Sequence, residues 1–336
     1  MKGRLRFLLL TVCVFTLLSM CSCSRKKTDS SQITIGFSID TLIIERWQRD
    51  CRIFVDTARQ YGADVIVKNA ANDEKEQIAQ IEELIASNVD VLVIVPKNSD
   101  SLTEVLNKAR SRNIPVISYD RLIRNADIAL YCSIDSQKVG YLMAECLLEK
   151  YSSGSFYCIL GSEEDYNMIL VDKGIRQALS GSDVTVDVKY FTPEWNYDKA
   201  YEKMTSLLDK NLVPDAVICG NDAVAECVIR AVSEHKREIP VVGQDADISA
   251  CRRIVLGTQT ATVYKPIYEL AERVAELACR LASGEDIVAE ENITETIDNG
   301  LNKIPVLWLD PVLVDEDNMK SVIVDSGFHS EEEIYR

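Results

Sequence analysis

The chain has 336 residues, of which 47% are apolar and 27% charged. That is ordinary globular composition, long enough for about two domains and too apolar for a largely disordered or collagen-like chain. Its net charge of −16 (37 basic against 53 acidic residues) argues against nucleic acid as a partner, since phosphate binding needs a cationic surface.

The first elements in chain order are targeting signals. Lys2, Arg4 and Arg6 form a positive start, and Phe7 to Leu18 is an apolar run too short to span a bilayer comfortably. Ser19-Met20-Cys21-Ser22-Cys23 follows and looks like a bacterial lipobox. Residues 1–22 are therefore expected to be removed and Cys23 lipidated, with Cys21 as the alternative. This makes the chain an exported protein whose only membrane attachment is a lipid anchor. Residues 23–32 read as a polar tether. Eight of the eleven cysteines lie beyond this region. They form no Cys-x-x-Cys pair and sit mostly in apolar stretches, so free buried thiols are expected rather than a zinc site or a disulfide framework.

From Ile33 onward short β-branched runs alternate with helical periodicities of about 15 residues. Strands are expected at Ile33–Ser38, Asp64–Lys68, Val91–Val95 and Pro115–Tyr119, with helices at Glu45–Tyr61, Asp73–Ser87 and around Leu102–Ala109. In the second of these helices Ile78, Ile81, Leu84 and Ile85 share a face, and Asn72 or Asp73 is the cap. The rhythm restarts after Gln137. Helices are expected at Gln137–Tyr151, Asn167–Leu179, Asp198–Lys210 and Asp222–Glu234, and strands at Ser155–Leu160, Val184–Phe191, Ala216–Gly220 and Pro240–Gly243. Pro266 suits the first turn of a long helix ending near Ser283-Gly284. Apolar strands joined by helices imply parallel sheets covered on both faces. The fold class is α/β, with two such lobes.

Ligands of these sheets bind outside the carboxyl ends of the strands. The segments that follow the strands are polar and charged: Asp40 onward, Pro96-Lys97-Asn98, Tyr119-Asp120-Arg121, Gly161 to Asn167, Gly220-Asn221-Asp222, Gly243-Gln244-Asp245 and Tyr264-Lys265. Asp120-Arg121 directly follows a strand, which favours a site over a surface ion pair. Trp47 reads as core, Asp222 as a helix cap, and Asp247 as the cap of a helix starting at Ile248.

Several long strings occur in order: Glu45-Arg46-Trp47-Gln48, Val89 to Pro96, Tyr119-Asp120-Arg121, Gly243-Gln244-Asp245-Ala246-Asp247, Gly257-Thr258-Gln259-Thr260, Val263-Tyr264-Lys265-Pro266 and Asp325-Ser326-Gly327-Phe328-His329. In these the chain, from Ile33 to Phe328, resembles the xylose-binding members of the type I periplasmic sugar-binding superfamily that serve bacterial ABC importers. The resemblance implies two doubly wound lobes joined by a three-crossing hinge, with a monosaccharide, D-xylose foremost, held between them. It implies contacts from Arg46, Asp120 and Arg121 in the first lobe, from Asp165, Asn167, Trp195, Asn221 and Asp245 in the second, and from Lys265 near a hinge. The expected lobes are 33–134 plus 266–290, and 135–265 plus 291–330. Thr41 and Ile43 stand where the pattern has an acidic and a basic residue, and Tyr166 where it has asparagine.

The chemistry is coherent. Carboxylates accept from sugar hydroxyls, Arg and Lys donate, Asn does both, and an indole covers the apolar face of the ring. Catalysis is poorly supported. The two histidines, His235 and His329, have no metal-ligand spacing, and no nucleophile elbow or phosphate loop occurs. Asp120, Asp165 and Asp245 suit a glycosidase pair, but sugar binding needs the same groups, so a binding protein without cofactor or metal is expected. Its partner is an ABC permease or, alternatively, a membrane sensor kinase. A sugar-responsive repressor of the same fold is disfavoured, because an export signal stands where a DNA-binding motif is needed.

Overall fold

The computed structural model describes residues 32–43 and 45–336. The export signal, Cys21, Cys23 and the tether up to residue 31 lie outside the described residues. No described helix is long and apolar enough to cross a membrane.

The first series runs β1 (Ile33–Ile39), α1 (Glu45–Gln60), β2 (Ala63–Asn69), α2 (Glu74–Ala86), β3 (Val91–Ile94), α3 (Thr103–Ser111), β4 (Val116–Tyr119) and β5 (Leu130–Ile134). β3 and β4 are buried at every position, as expected for strands covered on both faces. Asp73 caps α2 by accepting from the Lys75 and Glu76 amides. The fully buried residues of α2 are Gln77, Ile81, Leu84 and Ile85, and the expected Ile78 packs half-buried against the same core, so Gln77 joins an otherwise apolar face. The reason is polar: the Gln77 amide donates to the Val95 carbonyl (2.8 Å) and accepts from the Lys97 amide (2.8 Å). It thereby satisfies backbone groups at the carboxyl end of β3 that burial would otherwise orphan.

The second series runs α4 (Ser136–Leu148), β6 (Ser153–Leu160), α5 (Tyr166–Leu179), β7 (Asp183–Phe191), α6 (Tyr197–Asp209), β8 (Ala216–Cys219), α7 (Asp222–Glu234), β9 (Val241–Gln244), α8 (Ile248–Val255) and β10 (Ala261–Tyr264). The chain continues through α9 (Ile267–Ala282), α10 (Ile287–Glu290), β11 (Thr296–Asp298), β12 (Lys303–Leu309), β13 (Val312–Val314) and α11 (Glu331–Ile334). α4 and α5 touch backbone to backbone, and a Cβ on Gly174 would lie 1.9 Å from the Gln137 carbonyl oxygen.

The strands form two sheets. One has the order β11-β12-β5-β4-β3-β1-β2 and the other β13-β10-β9-β8-β6-β7. In each the first strand has its successors on opposite sides, β2 and β3 around β1, β7 and β8 around β6. These are the switch points where a crevice opens beyond the carboxyl ends of the strands.

The chain passes between the sheets after β5, after β10 and after β12. The first and last passages run side by side, with the Asp135 amide bonded to the Leu309 carbonyl (3.0 Å). This corrects one expected boundary. Residues 296–309 belong to the first sheet, not the second lobe: β12 runs parallel to β5, with Val306 opposite Tyr131 and Leu309 opposite Ile134. Ile304 and Val306 of β12 are buried there, and β11 folds back on β12 as a hairpin. Under the first sheet Phe37 packs against Phe54 (4.6 Å between centroids) and Tyr119 (5.9 Å). Truncating such a buried ring costs about 3–5 kcal/mol. All eight described cysteines are free thiols.

Candidate functional site

The nine residues singled out from the sequence converge. Arg46, Asp120, Arg121, Asp165, Asn167, Trp195, Asn221, Asp245 and Lys265 line one cleft, together with Trp47, Ser136, Met168 and Gln244. The cleft lies between the carboxyl ends of the two sheets.

The first lobe supplies Arg46 from the opening turn of α1, and Asp120-Arg121 directly after β4. Asp120 has φ of 62°, a left-handed conformation that costs a non-glycine residue roughly 1–3 kcal/mol. Its carbonyl is held by the Tyr131 hydroxyl (2.9 Å) and the Ser133 hydroxyl (2.6 Å), which fix the turn. Arg46 is paired with the Asp120 carboxylate. Arg121 reaches Asp40 (2.5 Å), the Pro96 carbonyl (3.2 Å) and, across the cleft, Asp165 (2.8 Å). The Trp47 indole lies beneath both arginines, at 4.5 Å from Arg46 and 5.4 Å from Arg121. Trp47 is therefore core, as its 3% exposure shows, and also cleft wall. Its place beside Arg46 in the helix was the signal for the second role.

Burial opposes the charge on each of these groups, and their mutual attraction overcomes it in most. Asp120 is held below the usual carboxylate range because Arg46, Lys265 and Arg121 outweigh the cost of burial. Arg46 and Arg121 are held above the ordinary guanidinium range: burial again opposes, and Asp120 and Asp50 win for Arg46, Asp165 and Asp40 for Arg121. Asp165 goes the other way, raised by burial with Arg121 offsetting only part.

The second lobe answers from four strand ends. Asp165 caps α5 through the Asn167 amide (3.0 Å) while its other oxygen takes Arg121. The Asn167 side chain donates to Asp120 Oδ1 (2.9 Å) and to the Asp120 carbonyl (3.2 Å). Trp195 ends a short turn, Pro193–Trp195, after β7, in which Glu194 and Trp195 both have positive φ (52° and 56°). The indole lies flat on Gly161, where an added Cβ would fall 2.1 Å from the ring. Its Nε1 is buried without a hydrogen-bond partner, a donor held ready at the cleft wall. Asp245 takes Lys265 at 2.5 Å and stands 3.9 Å from Arg46.

Two expected roles change. Asn221, not Asp222, caps α7, accepting from the Val224 amide (2.9 Å). Asp222 is fully buried below the cleft, accepting from Gln259 (2.8 Å), Thr262 (2.8 Å) and the Asp247 amide (3.1 Å), and burial pushes its carboxyl up to about 7. Asp247 occupies the cap position of α8 without a side-chain cap hydrogen bond. Asn221 still lines the cleft, so capping and cleft exposure coexist in one side chain.

The departures from the family pattern sit off the cleft wall. Thr41 is buried and accepts from the Ile43 amide (3.2 Å), while Ile43 is 81% exposed. Tyr166 stacks under Arg124 at 5.6 Å. Both histidines are engaged elsewhere: His235 at the end of α7 with Ala231 and Asp209, and His329 with the Ala246 carbonyl (2.8 Å). Among the described residues no group of three or more His, Cys, Asp or Glu is placed to hold a metal.

The arrangement is one of recognition. Three cations, their carboxylates, three amides and an indole with a spare N–H face one cleft. Such charge-assisted, planar groups bind a polyhydroxylated ring through many directed hydrogen bonds and reject one lacking a hydroxyl, because their own partners are then left unpaired.

Comparisons with known proteins bear on the family and the fold. Residues 35–286 match the model of the periplasmic binding protein domain family. The chain is 39% identical to the D-xylose-binding periplasmic protein of Haemophilus influenzae, over 96% of this chain and 98% of that one. It is 36% identical to the protein of the same name from Escherichia coli, over 98% and 100%. Among solved structures it is similar to an ABC transporter solute-binding protein from Clostridium phytofermentans with bound β-D-glucose, at 29% identity, covering 90% of this chain and 99% of that one with a TM-score of 0.83.

Proposed function

The chain belongs to the periplasmic binding protein family, and from that premise we propose that it captures D-xylose, or a close monosaccharide, between its lobes and delivers it to an ABC permease. It does so outside the cytoplasmic membrane, tethered through a lipid on Cys23. The observation that carries the reading is the meeting of buried polar side chains from both lobes in one cleft, an ion pair of Arg121 with Asp165 and a hydrogen bond from the Asn167 amide to Asp120.

Capture works by differential contact. A sugar touching only one lobe gains half of these partners, and closing gains the rest. The ligand therefore shifts the open–closed equilibrium toward the closed form by the difference. Trp195 covers the ring's apolar face, while Arg46, Arg121 and Lys265 donate and Asp120, Asp165 and Asp245 accept. A permease then meets one surface on the loaded protein and another on the empty one. No bond is broken, because each cleft carboxylate is committed to a basic partner.

Two of the three tryptophans, Trp47 and Trp195, stand in the cleft wall, so intrinsic fluorescence reports binding. Titration with D-xylose is expected to give saturable one-to-one binding with a fluorescence change. Silence in both heat and fluorescence toward xylose, ribose, arabinose and glucose overturns the reading, and turnover of an aryl xyloside contradicts a purely binding role.

A further inference from the structure

Behind the cleft, one turn along α1 from Arg46, sits an acid that the recognition chemistry does not use. Asp50 is fully buried. Its nearest cation atom is Arg46 Nε at 3.7 Å, beyond hydrogen-bonding reach. Neither carboxyl oxygen has a hydrogen-bond partner, and the same holds for Arg46 Nε. The Tyr119 hydroxyl faces the carboxyl without completing a hydrogen bond. An ionised carboxylate left this bare in a protein interior is strongly disfavoured.

The charge count points the same way. The cleft holds three buried cations, Arg46, Arg121 and Lys265, against four carboxylates already paired with them, Asp40, Asp120, Asp165 and Asp245. A fifth negative charge would have no cation of its own. The groups facing Asp50 are Arg46 and Cys51 on its own helix, Tyr119 and Asp120 at the end of β4, and Lys265 after β10. We propose that Asp50 is a positioning residue of the cleft: as a neutral acid it backs Arg46 without competing for it, so that sugar capture is linked to a proton on this one carboxyl. The inference rests on the sugar-binding reading of the cleft.

The consequence follows from the geometry of Arg46. Its terminal nitrogens serve Asp120 and face Asp245, on the cleft side. When Asp50 ionises, the guanidinium gains a competing carboxylate on the opposite side and is drawn back from the cleft. Burial, reinforced by Asp120 and opposed by Arg46, pushes the Asp50 carboxyl up to about 7. The sign is that of an acid with a raised value: the proton is held below about pH 7 and lost above it. Affinity is therefore full at pH 6 and falls above pH 7, by at most about tenfold per pH unit.

Calorimetric titration with D-xylose from pH 5.5 to 8.5 tests this in wild type and in Asp50→Asn, which keeps shape and neutrality. Wild type is expected to lose roughly three- to tenfold in affinity between pH 6 and 8, and at pH 7.5 to take up a fraction of a proton on binding, read from the difference between phosphate and Tris buffers. Asp50→Asn is expected to bind as wild type does at pH 6, with the alkaline decline and the proton uptake both gone. The same decline and uptake in Asp50→Asn overturn the proposal. So does a wild type with flat affinity and no proton uptake, a result that stands even if the variant fails to fold. Failure of wild type to bind any sugar is a different outcome and removes the function reading itself.

Discussion

Arg121 and Arg280 each gather several carboxylates, yet they do opposite work. Arg280, on α9, meets Glu276 (3.4 Å), Glu285 (2.7 Å), Glu290 (2.7 Å) and Glu291, all on α9, on α10 or in the turns beside them, and all reachable by water. Arg121 meets Asp40 and Asp165, is 4% exposed, and joins one lobe to the other. Water screens the first cluster and leaves it a modest clip between α9 and α10. The second has no water to fall back on, so removing a partner leaves a bare buried charge. Burial, not the number of ion pairs, decides which cluster can sense a ligand.

Substitutions sharpen the contrast. The largest effect is expected for Arg121→Ala, which strands Asp40 and Asp165. Losing one partner of a buried pair costs about 3–5 kcal/mol, so sugar affinity should fall more than a hundredfold in calorimetry, with a lower melting temperature. Trp195→Ala removes a cleft wall worth about 1.5–3 kcal/mol, a loss of roughly ten- to a hundredfold. Gly161→Ala should do similar harm with the tryptophan itself left in place, since its Cβ would strike the indole. Equal affinity in Gly161→Ala and wild type would show that the indole does not need its seat.

A smaller effect is expected one turn beyond Arg46. Arg49 donates to the carbonyl of Phe328 (3.1 Å) and to the Tyr268 hydroxyl (3.3 Å), and lies 5.0 Å over the Phe328 ring. It ties the first lobe to the C-terminal segment of the second. Arg49→Ala should weaken binding about three- to tenfold, the net worth of one ordinary hydrogen bond, by loosening the closed form while leaving the cleft chemistry intact. The smallest effect belongs to Arg280→Ala, which should leave affinity unchanged and lower the melting temperature slightly. A loss of affinity there as large as that of Arg121→Ala would break the distinction between the two clusters.

The cleft was legible in the sequence because parallel strands announce themselves as apolar runs, and the rule that ligands sit beyond their carboxyl ends picks out Asp120-Arg121, Asn221 and Asp245 directly. What stayed hidden was the choice between neighbours with the same chemistry. Asn221 and Asp222 are adjacent acceptors after one strand. Only the backbone, extended at Asn221 with φ of −161°, decides which one caps α7 and which one turns into the core. Asp50 was invisible for a related reason, since a carboxylate in the middle of a helix reads as solvated until α1 is seen with that face inward. The third passage between lobes was misplaced because Thr296 to Leu309 carries clear hairpin signals, Asp298-Asn299-Gly300 among them, yet nothing in its local pattern says which sheet has a free edge. That edge is β5, whose Leu130-Tyr131-Cys132-Ser133-Ile134 run is short and carries only a weak strand pattern.

A crystal structure of the D-xylose complex tests the central claim most directly. The account predicts one pentose in the closed cleft, its ring against Trp195 and its hydroxyls shared between Arg46, Asp120 and Arg121 on one side and Asp165, Asn167, Asn221 and Asp245 on the other. Xylose bound anywhere else, or seated there while touching a single lobe, would contradict it.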